Sequence, residues 1–96
     1  MESHTIRQGI ISLLSEQELD ARDLSQELGL KEKDIYEHLA HVARSVAASR
    51  GRFVVTPSQC LLCGYVFKDR RRLTRPGRCP QCRRSKLQNP SFRILT

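Results

Sequence analysis

From Arg50 to the end of the chain there is one acidic residue, Asp69, against twelve Lys and Arg. That half has a net charge of +11, whereas residues 1–49, with nine Asp/Glu and five Lys/Arg, carry −4. A segment so short of carboxylates is a candidate surface for a polyanion. Scattered lysines would read as a solvated face, but these cations are mostly Arg and crowd around the cysteines, which favours nucleic acid. Other absences narrow the class further. No stretch nears the ~18 apolar residues of a membrane span, so no membrane partner is expected. No apolar, signal-like segment opens the chain, which points to a reducing cytoplasm and away from a secreted disulfide scaffold. No Ser/His/Asp set, carboxylate pair or Gly-rich phosphate loop is visible, and His4, His38 and His41 stand alone. The expectation is no enzyme and no small-molecule substrate. Ninety-six residues allow one compact domain, or two very small ones that share a core.

Cysteine occurs only as two Cys-x-x-Cys pairs, Cys60-Leu-Leu-Cys63 and Cys79-Pro-Gln-Cys82, with fifteen residues between them. Each tight turn points two sulfurs to one side. Two facing turns give the four-thiolate tetrahedron that Zn²⁺ accepts at ~2.3 Å, and the spacing is that of a zinc site. Gly64, without a Cβ, lets the backbone curl and aim N–H groups at sulfur, while Pro80 stiffens the second turn. Iron suits the same cage, but four-thiolate iron carriers are usually acidic and rich in aromatics near the metal. This region is basic and offers chiefly Tyr65, Phe67 and Phe92. A redox-active Cys-x-x-Cys would need a helix start within a βαβ pattern, which is missing. The expected cofactor is one structural Zn²⁺ per chain, held by Cys60, Cys63, Cys79 and Cys82, with no open position for catalysis.

The first half reads as three helices. Ile6, Ile10, Leu13 and Leu14 recur at helical spacing, with Ser3 or Thr5 as the cap. After a short polar link, whose only apolar anchor is Leu19, Asp20 is a good N-cap and Asp23 adds negative charge in the first turn. Leu24 and Leu28 form one stripe, Gly29 supplies a left-handed turn, and Leu30 plugs the corner. The third helix is predicted from about Glu32 to Ala48, with Ile35, Leu39, Val42 and Val46 on one stripe. Gly51 marks its stop. A short helix, a glycine turn and a longer helix with one buried stripe is the helix-turn-helix pattern.

Phe53-Val-Val-Thr56 reads as a strand, and so does the stretch in which Phe92 and Ile94 alternate. A terminal strand must find a partner for its backbone, and 53–56 is available. The expected fold class is therefore α+β: a three-helix winged helix-turn-helix with a four-cysteine zinc ribbon inserted in the wing between the last two strands. Residues 1–57 plus 89–96 would form the winged helix-turn-helix and residues 58–88 the zinc ribbon.

These parts resemble a family of prokaryotic predicted transcriptional regulators that fuse a winged helix-turn-helix domain to a rubredoxin-like zinc ribbon. The resemblance rests on Leu24…Leu28-Gly29-Leu30…Ile35…Leu39, on Cys60-Leu-Leu-Cys63-Gly64-Tyr65-Val-Phe67 with Cys79-Pro80-Gln-Cys82, and on Pro90-Ser-Phe92-Arg-Ile94. It covers nearly the whole chain and implies a winged-helix fold, a four-cysteine zinc site and DNA binding.

Two surfaces compete for the nucleic acid. The outward line of the third helix is Lys33, Glu37, Ala40, Arg44 and Ala48, flanked by Asp34 and His41. Its carboxylates would be repelled by phosphates, so Glu37 reads first as a solvated partner of Lys33 and only second as a reader of cytosine. Lys33, His41 and Arg44 are the expected contacts on this helix. The ribbon offers Lys68, Arg70, Arg71, Arg72, Arg75, Arg78, Arg83 and Arg84, and the planar fork of Arg suits phosphate. Tyr65 and Phe67 are expected in a small apolar core beside the metal before any stacking on bases. A DNA-binding transcriptional regulator is the leading reading, with a homodimer expected because one helix reads too few base pairs. Two alternatives stand beside it. One is a protein–protein adaptor of the transcription machinery with only non-specific nucleic-acid binding; the other is a rubredoxin-like iron redox or sensing module.

Overall fold

Apolar spacing decides where the helices pack. The computed structural model describes residues 3–68 and 72–95. Helix α1 (Ser3–Glu16) buries Ile6, Ile10 and Leu14 on one side. It begins at Ser3, so Thr5 lies inside the first turn and is not its cap. Helix α2 (Ala21–Leu28) starts on a reciprocal capping box. The Asp23 N–H donates to Asp20 Oδ1 at 2.8 Å, and the Asp20 N–H donates to Asp23 Oδ2 at 3.1 Å. Each satisfies a donor the helix would leave orphaned, and such a cap typically stabilises by ~1 kcal/mol. Gly29, at φ 67°, turns the chain into α3 (Glu32–Ala48), which buries Ile35, Leu39, Val42 and Val46.

Helix α3 stops short of Gly51, as the sequence leads one to expect. The left-handed residue is Arg50, at φ 66°, and not Gly51. The Arg50 N–H donates to the Ala47 carbonyl at 3.3 Å and the Gly51 N–H to the Val46 carbonyl at 2.9 Å, the pairing of a Schellman motif. Gly51 is required for space: a Cβ there would lie 2.9 Å from Val46 Cγ1.

Three strands form one antiparallel sheet in the order β1-β3-β2. Strand β2 (Arg52–Thr56) runs against β3 (Ser91–Leu95) in continuous register, from Arg52↔Leu95 to Thr56↔Ser91. The pairing expected of the terminal strand is present. On the other side of β3 lies β1 (Leu19–Asp20), pairing Leu19↔Phe92 and Asp20↔Ser91. The sequence reading took this stretch for a link, because two residues are too few to show alternation. Cross-strand partners share a face, so Phe53 and Val55 look the same way as Ile94 and Phe92. Phe92 and Ile94 are buried against the helices, and the Phe53 and Phe92 rings stack at 5.8 Å. Burying one such side chain contributes ~1.5–3 kcal/mol, so the last strand is part of the helical core. The opposite face is tied by Glu18, which accepts from Ser91 Oγ at 2.7 Å and Thr56 Oγ1 at 3.1 Å.

The fold is thus α+β, three helices on a small antiparallel sheet, with residues 57–90 running out from Thr56 and back to Ser91. Among the described residues no helix is long and apolar enough to cross a membrane.

Candidate functional site

Two backbone knuckles of the same design build the metal centre. In the first, the Cys60 N–H donates to the Tyr65 carbonyl at 2.8 Å and the Gly64 N–H to the Cys60 carbonyl at 3.0 Å. In the second, nineteen residues on, the Cys79 N–H donates to the Arg84 carbonyl at 2.8 Å and the Arg83 N–H to the Cys79 carbonyl at 2.9 Å. Both turns need a left-handed residue after the second cysteine. The first uses Gly64, at φ 81°; the second puts Arg83 there, at φ 63°. The N–H of Gly64 therefore serves a carbonyl. Other backbone N–H groups face sulfur, among them that of Cys63, 3.5 Å from Cys60 Sγ.

The four sulfurs lie within 4.8 Å of one another. Cys60 Sγ and Cys82 Sγ are 3.6 Å apart, as are Cys63 Sγ and Cys79 Sγ. A tetrahedron with Zn–S bonds of ~2.3 Å has edges of about 3.8 Å, so these contacts are close to the edges a single ion requires. They are also far longer than a disulfide bond, which is about 2.05 Å. Cys60 and Cys79 are buried, Cys82 is half-buried and Cys63 is exposed. Without metal the thiols differ sharply. Backbone N–H groups of Cys63 and Leu62 outweigh burial and bring Cys60 down to about 6. At Cys63 the Tyr65 N–H pulls the other way, yet burial and the neighbouring cysteines push it up to about 12. The second knuckle repeats the pattern. Burial raises Cys79 but is outweighed by the N–H groups of Cys82 and Gln81, while Cys82 is pushed up despite the Arg84 N–H. The set is built to share charge with a cation.

Little else holds this region together. Cys60, Cys79 and Leu87 form its buried cluster, with Tyr65, Phe67 and Cys82 packed against it. Tyr65 and Phe67 meet edge to face at 5.0 Å, in the core role expected of them. Leu87 was not singled out by the sequence; it pairs across the sheet-like bridge Cys60↔Leu87. The loop between the knuckles reaches back to the helices. Leu73 packs on the helical core, and Arg75 shares a groove with Arg22, Glu32, Tyr36 and Asn89. Burial and the Glu32 carboxylate raise the Tyr36 pKa, opposed by an Arg75 backbone N–H aimed at its oxygen.

The predicted nucleic-acid residues fall into groups. Lys33, His41 and Arg44 are exposed on α3. Lys68 and Arg72 line one cavity at the root of the ribbon, and Arg75 lies beside Tyr36 of α3. Arg78, Arg83 and Arg84 are exposed around the second knuckle. Arg70 and Arg71 lie outside the described residues.

Comparison with known proteins agrees with both halves. Residues 5–55 match the family described as PF0610-like, N-terminal, and residues 57–96 match the PF0610 rubredoxin-like zinc beta-ribbon domain. The chain belongs to the PF0610-like family. Among solved structures, the solution NMR structure of protein PF0610 from Pyrococcus furiosus is similar, with a TM-score of 0.84 and 29% sequence identity. The alignment covers 100% of this chain and 93% of that one. No curated protein matches the chain.

The metal site of this PF0610-like chain is the one-ion centre of a zinc ribbon, formed by all four cysteines. Sequence reasoning missed Arg22, Tyr36, Ser58 and Asn89 as parts of surface sites. Each acquires its place only when the ribbon docks, and no local periodicity reports that.

Proposed function

We propose that this protein is a DNA-binding transcriptional regulator. In this reading residues 1–57 and 89–96 make a winged helix-turn-helix, and the ribbon of residues 58–88 replaces the tip of the wing. One observation carries it: Arg75 of the ribbon and Tyr36 of α3 line the same groove. One ribbon cation, Arg75, therefore lies beside α3, the helix that would enter the major groove. Lys33, His41 and Arg44 would reach bases or phosphates, while Lys68, Arg72, Arg75, Arg78, Arg83 and Arg84 neutralise backbone. Zinc has a structural role, holding those arginines on a rigid knuckle.

A second reading has its own support. Glu32 and Glu37 are exposed on α3 and Asp34 is half-exposed, an acidic end better suited to a basic protein partner than to phosphates. This is the adaptor of the transcription machinery. Selection of binding sites from random duplex DNA, followed by a salt series, separates the two. A regulator enriches one sequence and keeps its preference as salt rises. An adaptor enriches nothing and loses affinity for all duplexes alike. Arg44→Ala should narrow the gap between preferred and random DNA by ~1–3 kcal/mol if it makes a bidentate base contact. Arg72→Ala should instead weaken every duplex and reduce the slope of log K against log salt by ~0.9.

A further inference from the structure

Where β2 gives way to the ribbon lies a cavity of about 140 Å³. Val55, Phe67 and Pro90 contribute its apolar wall; Ser58, Lys68 and Arg72 contribute the polar side. Ser58 is only 2% exposed, and its hydroxyl has no hydrogen-bond partner among the described residues. A buried hydroxyl left unpaired is uncommon and calls for an explanation. Its position is fixed, because the Ser58 carbonyl accepts the Phe67 N–H at 3.0 Å. Lys68 and Arg72 bring two positive charges to the same cavity, and among the described residues no acidic one lines it. Glu18 is bonded to Thr56 and Ser91 on the outer face of the sheet. Val55 pairs with Phe92 and faces the other way. The cavity is well below the ~300–1000 Å³ of ordinary small-molecule pockets, which limits its occupant to a small group.

We infer that this cavity is a seat for a phosphate group, with Ser58 Oγ–H donating to one oxygen and Lys68 and Arg72 balancing the charge. Arg adds a planar fork of donors that fits phosphate oxygens. The inference deepens the proposed function and rests on it for the source: in that reading the occupant is a backbone phosphate of DNA. A free phosphate compound offers the same chemistry, so the test has two arms.

The zinc-loaded full chain, labelled with ¹⁵N, is titrated with inorganic phosphate against chloride at equal ionic strength, and separately with a short duplex. Phosphate should give saturable shifts at the Ser58, Phe67 and Lys68 amides that chloride does not reproduce. Ser58→Ala should keep its zinc and weaken phosphate at least fivefold, and Arg72→Gln should weaken it as well. Shifts that do not saturate, that chloride matches, or that Ser58→Ala leaves unchanged overturn the seat. The duplex arm names the source. A duplex that shifts the same amides, and loses affinity in Ser58→Ala, assigns the seat to backbone phosphate. Saturation by phosphate with no duplex response supports the seat for a free phosphate compound, and counts against the regulator reading alone.

Discussion

The helical half and the ribbon are held together by different physics. Eleven apolar side chains, from Ile6 to Ile94, are buried in one cluster between the helices and the sheet. In the ribbon the buried cluster is Cys60, Cys79 and Leu87, and two of those three are metal ligands. A hydrophobic core is diffuse and tolerates the loss of one member. A four-thiolate centre is concentrated, and losing one ligand forfeits most of it. The chain thus places its positive charge on the part that depends wholly on a cation, and its larger apolar core under the acidic part.

Removing the metal tests that contrast hardest. Zinc sites in small peptides are worth ~10–16 kcal/mol at neutral pH. Chelation, or Cys60→Ser, should therefore erase the dispersed amide signals of residues 58–88 while helical circular dichroism is largely kept. Simultaneous loss of the helices would show that the two parts are one cooperative unit. The metal itself should be colourless zinc, one per chain by elemental analysis; a red ferric centre would reinstate the iron module.

The next largest effect crosses the boundary between the halves. Phe92 follows the ribbon in sequence but is buried in the helical cluster. Phe92→Ala should destabilise the helices by ~3–5 kcal/mol, a large share of the 5–15 kcal/mol typical of a small domain. Denaturant unfolding followed by helical signal reads this directly. A chain ending at Gln88 should fail in the same way, and unchanged helical stability would refute the core role of β3.

Acid attacks the metal centre. Cys63 and Cys82 are pushed up in the metal-free chain and so hold protons at neutral pH, whereas bound zinc needs thiolates. Zinc affinity must then fall as pH falls, by about a hundredfold per unit or more, because at least these two protons are taken up. Below about 6, the value for Cys60, a further proton joins and the fall steepens. Chelator competition between pH 8 and pH 5 checks the slope, and a flat profile would contradict the shared-charge arrangement.

The smallest effect concerns one residue. Arg83 occupies the left-handed position that Gly64 fills in the first knuckle. Arg83→Gly should stabilise the zinc-bound ribbon by about 1 kcal/mol, since a side chain in that conformation costs ~1–2 kcal/mol. If Arg83 also meets phosphate, the same change should weaken DNA binding. A gain in melting temperature with a loss of affinity would show that charge is kept there at the expense of backbone comfort.

Much of this was legible in advance, for local reasons. The stripe from Ile35 to Val46, the Asp20 cap, the Gly29 turn and the four cysteines each announce themselves within a few residues. The partnership of the strands followed from the need to pair a terminal backbone. What escaped were features set by neighbours distant in sequence. Strand β1 exists because β3 passes beside Leu19, and Leu73, set among arginines, is an anchor only because the helical core lies beneath it. The left-handed Arg50 and Arg83 escaped for another reason: the residue type there argues against the conformation the fold imposes.

The run from Thr56 out and back to Ser91 has a thermodynamic consequence. It makes the ribbon a loop of residues 57–90, thirty-four in all, closed by a two-strand zipper. Closing so long a loop costs about 2 kcal/mol more than closing four residues. A metal that clamps Cys60 to Cys82 shortens the free loop to three residues before Cys60 and eight after Cys82, and removes much of that penalty. Ion and zipper therefore assist each other, and the assistance is reciprocal: whatever factor zinc adds to strand pairing, pairing adds to zinc affinity. Phe53→Ala, a change in the helical cluster, should accordingly loosen the grip on zinc, and chelator competition on that variant would measure the coupling.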